Sequence, residues 1–180
     1  MKRLNKILVP TDLSKDSCRA LSYGCWLAAE DQAALLILHV ANDLNAWEFY
    51  SEDLAFLELN RKTWPIDRVL AEASLDLTRF LEPHLQSLRK VPTATKRVVL
   101  GSVAEQIVAV AQEENTDLIV MSPRRHRGLR HFLKGGITDR VTRLSPCPVL
   151  SIAAPQPSNP WRGKWKPLLF GWPRQRAANV

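Results

Sequence analysis

Ala34-Leu35-Leu36-Ile37-Leu38-His39-Val40 is the stretch on which the fold turns. It is apolar at every position until His39. A strand with one wet face alternates apolar and polar residues, whereas a strand covered on both faces reads as an unbroken apolar run. That pattern belongs to a parallel sheet. Working outward, Lys6-Ile7-Leu8-Val9-Pro10 is a shorter apolar run that Pro10 is expected to stop. Between the two runs, Ala20, Leu21, Gly24 and Leu27-Ala28 recur at helical spacing, which predicts a helix over about Lys15 to Glu30 with Ser14 as its cap. Further on, Leu70, Ala73, Leu77, Phe80, Leu81 and Leu88 mark a helix over about Arg68 to Arg89, and Pro83 should kink or split it.

The alternation continues to residue 152. Thr95 to Leu100 reads as a third strand. Ser102 and Glu105 stand three apart, the spacing of a capping box, and predict a helix through Ile107, Val108, Val110 and Ala111 to about Glu114. Leu118 to Met121 is a fourth strand, followed by a loop of about 13 residues and a short helix from Ile137 to Arg143. Pro146-Cys147-Pro148 breaks that helix, and Val149 to Ile152 is a fifth strand. Strands alternating with helices imply an α/β fold: right-handed crossovers and an open parallel sheet with helices on both faces. We expect one domain over 1–153 and a basic Pro/Trp-rich tail over 154–180.

Composition narrows the class. The 180 residues are 46% apolar and 24% charged, which excludes a wholly disordered or collagen-like chain. No apolar run approaches the ~18 residues of a membrane span. Met1-Lys2-Arg3 is followed at once by polar Asn5 and Lys6, so no secretory signal is expected. Cys18, Cys25 and Cys147 cannot all pair within one chain and match no zinc spacing. They read as buried, reduced thiols of a cytoplasmic protein.

The net charge is +7, but it is unevenly placed. Arg162, Lys164, Lys166, Arg174 and Arg176 stand in the tail with no acid, which puts +5 there and leaves +2 for the first 153 residues. Within the body, Arg124, Arg125, Arg127, Arg130, Lys134, Arg140 and Arg143 face Asp139 alone. Such a cluster favours anions, and it reads equally well as a solvated face. The connection Asn42 to Asp67 has the opposite character: six acids against Arg61 and Lys62, a net −4. It is long for such a connection, and a helical turn is expected around Ser51 to Leu59.

In an open α/β sheet, ligands bind beyond the carboxyl ends of the strands, where the strand order reverses. The candidates are the turn Pro10-Thr11-Asp12 and the loop Ser122 to Gly136. The loop is basic and leads into a helix amino terminus, whose free amides and dipole favour a phosphate or another anion. Gly128, Gly135 and Gly136 permit close approach. Asp12 is the best single candidate, with turn or helix-cap duty as the plain alternative. His39 reads as a hydrogen-bonded structural histidine, and His126 and His131 as solvated loop residues. No catalytic residue is assigned, and no metal site.

The order Ile-Leu-Val-Pro-Thr-Asp, then Leu-His-Val, then strand, Gly-containing loop, helix and Pro-Cys-Pro-Val-Leu resembles the universal stress protein (UspA-like) family over about residues 4 to 153. The resemblance implies an adenine nucleotide alpha hydrolase-like sheet in the order 3-2-1-4-5, and a dimer. Nucleotide-binding members use a loop of the form Gly-x2-Gly-x9-Gly-Ser/Thr for ATP phosphates, an Asp after strand one, and backbone near the end of strand two. The last two fall on Asp12, beside Thr11, and on Val40. In the loop, the defining positions fall on Ser122, Arg125, Gly135 and Gly136, so only Gly135 is kept, while Gly128 matches a further glycine of the family loop. Arg125 puts a long side chain where bare backbone should approach phosphate, and Pro123 has no amide to donate. Arg124, Arg125, Arg127 and Lys134 offer full charges in exchange.

The expectation is a stress-response or regulatory homodimer, paired through strand five, with no catalytic turnover and with binding of ATP and magnesium weak or lost. One alternative is an adenine-nucleotide switch with slow hydrolysis, or a modified site for another anion. The other is a nucleic-acid or membrane adaptor acting through the tail, the less favoured of the two. For the tail itself, packing on its own domain or on a partner subunit is favoured over a disordered anchor. Leu168, Leu169 and Phe170 would otherwise stay wet.

Overall fold

The computed structural model describes residues 3–41, 66–123 and 136–153. Five strands form one sheet: β1 (Lys6–Thr11), β2 (Ala34–Ala41), β3 (Thr93–Leu100), β4 (Leu118–Met121) and β5 (Val149–Ser151). The order is β3-β2-β1-β4-β5, and every pairing is parallel. The helices are α1 (Ser17–Asp31), α2 (Ile66–Leu81), α3 (Leu85–Leu88), α4 (Val103–Glu113) and α5 (Ile137–Leu144). Each described crossover thus returns through a helix, as parallel pairing requires.

β2 is buried along both faces, which is why its sequence does not alternate. Leu35 and Ile37 join the layer beneath α1 and α2, together with Ile7, Val9, Leu21 and Leu77. Leu36, Leu38 and Val40 join the layer beneath α4 and α5, together with Leu8, Ile107 and Val141. Removing a side chain such as Leu77 from water stabilises the fold by about 1.5–3 kcal/mol. Pro83 acts as its ring dictates. The helix stops at Leu81, a single 3-10 turn carries Glu82–His84, and α3 resumes at Leu85.

Four local expectations are corrected. Pro10 does not stop β1, which continues to Thr11. β1 pairs with β4 only at Ile7–Leu118 and Leu8–Ile119. Beyond Leu8 that side of the strand has no ladder, so the missing proline donor is tolerated. α1 begins at Ser17, not Lys15, because the preceding turn is held by its own side chains. The Ser102–Glu105 capping box does not form. The Ser102 hydroxyl instead donates to the Glu105 carboxylate, which also takes Arg140. Finally, only Cys25 is buried, whereas Cys18 and Cys147 are part-exposed; all three are free. The segment around Ser51 to Leu59 lies outside the described residues.

The amino edge of the sheet is locked by polar contacts. Asp117 accepts the amides of Asn5 at 2.9 Å and Lys6 at 3.1 Å, which ties β4 to β1. Glu114, at the end of α4, receives Lys6 Nζ at 2.8 Å and Arg97 at 3.3 Å, and Arg97 also reaches Glu113 at 2.9 Å. These contacts hold α4 across β1 and β3 and leave the opposite, carboxyl edge as the open end.

Candidate functional site

β1 and β4 separate after Leu8 and Ile119, and the strand order reverses between them. The crevice beyond their carboxyl ends is where an open α/β sheet takes ligands. Thr11, Asp12, Ser122 and the start of α1 meet there, because each lies within a few residues of a strand or helix end on that edge.

The turn from β1 into α1 is closed on itself. Thr11 is buried, its Oγ1 accepts the Leu13 amide at 3.0 Å, and its hydroxyl meets Ser17 Oγ at 2.8 Å. Ser17 spends its own proton on the Ser14 carbonyl at 2.8 Å, so Thr11 is the donor to Ser17. Asp12 Oδ1 accepts the Ser14 amide at 3.1 Å and the Ser14 hydroxyl at 2.5 Å, an Asx turn. Ser14 Oγ in turn accepts the Ser17 amide at 3.3 Å. Leu13 sits at φ 61, a left-handed conformation that costs an L-residue about 1–2 kcal/mol and that these contacts hold in place. Three backbone donors at this turn, from Leu13, Ser14 and Ser17, are therefore already accepted by side chains.

Two contacts bind the turn to its neighbours. His39 Nδ1 meets the Thr11 carbonyl at 2.9 Å. A carbonyl only accepts, so this nitrogen carries the proton, and the ring ties β2 to the end of β1. The Ser122 hydroxyl donates to the Asp16 carbonyl at 2.8 Å and crosses from the end of β4 to the start of α1. Val40 is buried within β2, and next to it the Ala41 carbonyl already accepts the Gly101 amide at 3.2 Å.

At the far side, Gly136 caps α5 in an extended conformation, and a Cβ there would meet nothing within 4 Å. Its amide donates to Asp139 Oδ2 at 3.0 Å. A carboxylate thus stands at the helix terminus that the sequence offered to an anion, and it satisfies both the dipole and a donor. Arg140, one cation of the basic cluster, is bound to Glu105. Gly128 and Gly135 lie outside the described residues, as do Arg124, Arg125, Arg127 and Lys134. The structure accordingly brings Thr11 and Asp12 to the crevice, puts Val40 in the strand beside it and Gly136 at the start of α5.

Sequence reasoning expected a hydrogen bond at His39 without its partner, the Thr11 carbonyl, and passed over Ser122 with Asp16 and Asp139 with Gly136. The last had a signal. Gly136 and Asp139 stand at cap and third-residue spacing, where an acid reaches back to the cap amide. The other two join residues far apart in the chain and leave no local trace.

The family model described as the Universal stress protein family matches residues 3–152. The chain belongs to the universal stress protein family. It is 29% identical over 149 residues to universal stress protein YxiE of Bacillus subtilis, with 82% of this chain and 98% of the relative covered. It is 27% identical over 154 residues to universal stress protein MJ0577 of Methanocaldococcus jannaschii, covering 82% and 93%. The solved structure of MJ0577 superposes with a TM-score of 0.64 at 22% identity, covering 86% of this chain and 99% of that one. A universal stress protein solved in complex with cAMP superposes with a TM-score of 0.56 at 21% identity, covering 86% and 100%. These likenesses establish the universal stress protein fold. No helix among the described residues is long and apolar enough to cross a membrane.

Proposed function

We propose that this universal stress protein is a non-catalytic regulatory member of its family that works as a homodimer and binds ATP weakly or not at all. The observation that carries the reading is the Asp139 carboxylate on the Gly136 amide, 3.0 Å away at the start of α5. A phosphate brought there meets a negative charge and an occupied donor. The turn at Thr11, Asp12 and Ser14 supports the same reading, since the amides of Leu13, Ser14 and Ser17 already have side-chain acceptors. Thr11, Asp12, Val40, Gly128, Gly135 and Gly136 are on this account remnants of a nucleotide site rather than a working one. The body over 1–153 is the functional domain, the tail over 154–180 is an addition to it, and the protein works in the cytoplasm.

The dimer is proposed through β5. This short strand pairs with β4 on one side, and its other side has no partner among the described residues. Leu150 and Ile152 are half-buried against the α1-side layer and are the apolar contacts such a pairing would complete.

Calorimetry of the full-length protein with ATP and magnesium tests the proposal. We expect no heat of binding at micromolar nucleotide, and a micromolar affinity would overturn the reading. The alternative, an adenine-nucleotide switch, draws support from the structural neighbour in complex with cAMP. It requires an adenine nucleotide to be released from the purified protein, which mass spectrometry of the denatured supernatant would detect.

A further inference from the structure

The outward face of α1 carries an unusual pair. Trp26 is 52% exposed and Tyr23 is 38% exposed, on a helix whose opposite face is fully buried through Ala20, Leu21 and Ala28. The two rings lie 5.2 Å apart and tilted by 56°, so they form one continuous aromatic surface. Tryptophan is seldom left this wet without a partner. Neither ring takes part in the core layers. Glu30, one turn beyond Trp26, is exposed and makes no ion pair among the described residues.

The chain itself supplies an occupant. β5 ends on the same edge of the sheet at which α1 begins, and the Ile152 amide bonds the Met121 carbonyl at 2.8 Å. Ile152 packs into the α1-side layer, so the described chain ends beside that face. The residues that follow begin with Pro155, Pro157 and Pro160, which favour an extended polyproline conformation. Eight residues, from Ala154 to Trp161, would span about 25 Å at ~3.1 Å each if extended in this way. Trp26 lies nine residues into α1, about 14 Å from that edge by helix rise. Trp161 and Trp165 therefore arrive at the right range, flanked by Arg162, Lys164 and Lys166.

We infer that Tyr23 and Trp26 form the docking surface for the chain's own Trp161–Lys166 segment. Ring faces meet tryptophan and cationic side chains there, and Glu30 pairs with one of the cations. The contact uses chemistry on both sides: aromatic with aromatic, cation with ring face, cation with carboxylate. It makes α1 the element that tethers the tail, independently of whether any nucleotide binds.

Limited trypsin digestion of the full-length protein tests this, since Arg162 and Lys164 are cleavage sites inside the docked segment, whereas Pro167 blocks cleavage after Lys166. In a Tyr23→Ser/Trp26→Ser variant, cleavage at those sites should accelerate about tenfold while the thermal melt of the body is retained. The complementary Trp161→Ser/Trp165→Ser variant leaves the body untouched and should lose the same protection. Equal cleavage rates in wild type and either variant would overturn the inference. So would protection that rises with protein concentration, because the segment would then sit on a second copy.

Discussion

Gly24 of α1 lies against Val9 of β1 so closely that a Cβ at position 24 would stand 2.5 Å from Val9 Cγ2. The helix settles onto the centre of the sheet because that atom is missing. Val9 is fully buried and β-branched, so it has no room or rotamer into which to retreat. Alanine at position 24 would gain up to about 1 kcal/mol of helix propensity and lose it to the clash. We expect Gly24→Ala to destabilise the protein by about 1–3 kcal/mol. A melting temperature equal to or above wild type would show that the helix can lift without penalty.

Asp139 should govern anion affinity at the start of α5. Replacing it by Ala removes both the charge and the acceptor. The helix loses a favourable dipole contact of about 0.3–1 kcal/mol, and the Gly136 amide becomes available. Phosphate or ATP affinity should then rise about 2- to 5-fold over wild type, by titration calorimetry at low salt. An unchanged or weakened affinity would remove Asp139 from the account.

Acid should loosen the ion pairs at both ends of α4. The Lys6 ammonium, by hydrogen bond and charge, with Arg97 beside it, holds the Glu114 carboxyl below its ordinary range. The Ser102 hydroxyl, with Arg140, does the same for Glu105. A carboxyl whose folded pKa is depressed adds stability that is complete above its unfolded value, near pH ~4.3, and that is lost as pH falls through the lower folded value. Melting temperature should hold from pH 7 to about pH 5 and decline modestly below it, because both carboxyls are exposed to solvent. Glu114→Gln should flatten the fall, and a wild-type-like slope in that variant would place the effect elsewhere.

The cysteines should differ in reactivity. Burial pushes the Cys25 thiol up to about 11, so almost none is thiolate near neutral pH. Cys18 and Cys147 are part-exposed. Alkylation of the native protein at pH 8, read by peptide mass spectrometry, should label those two well before Cys25. Equal labelling would mean that α1 opens on the experimental timescale.

The proposed dimer gives a further handle. Ile152→Lys would place an ammonium where an apolar contact should close, and should weaken self-association about a hundredfold or more. Analytical ultracentrifugation reads this directly. A wild-type protein that sediments as a monomer would end the dimer proposal before any variant is made.

Much of the architecture was legible because apolar patterning is local. The unbroken run from Ala34 to Val40 specified a strand wet on neither face, and Pro83 marked where the second long helix breaks. Legibility failed at ends and caps. Ser102 has the right chemistry to cap a helix but turns to the nearer Glu105 carboxylate, while Ser14 gives its proton to Asp12 and still accepts the Ser17 amide, ahead of a helix that starts two residues later than the pattern suggests. Pro10 reads as a stop in the sequence because its neighbours in the sheet lie far away along the chain. β4 releases β1 just before that residue, and a proline without a neighbour breaks nothing.

The amino-acid order alone determined the class of fold, the number of strands and the edge on which the Thr11–Asp12 turn stands. Burial periodicity and turn chemistry are encoded over a few neighbouring residues, and they carry that much. Only the folded chain decided the state of that edge. Ser122 reaches Asp16 across 106 positions of sequence, and His39 reaches Thr11 across 28. Hydrogen bonds form between whichever groups the sheet brings within about 3 Å, and that proximity exists nowhere in a linear chain.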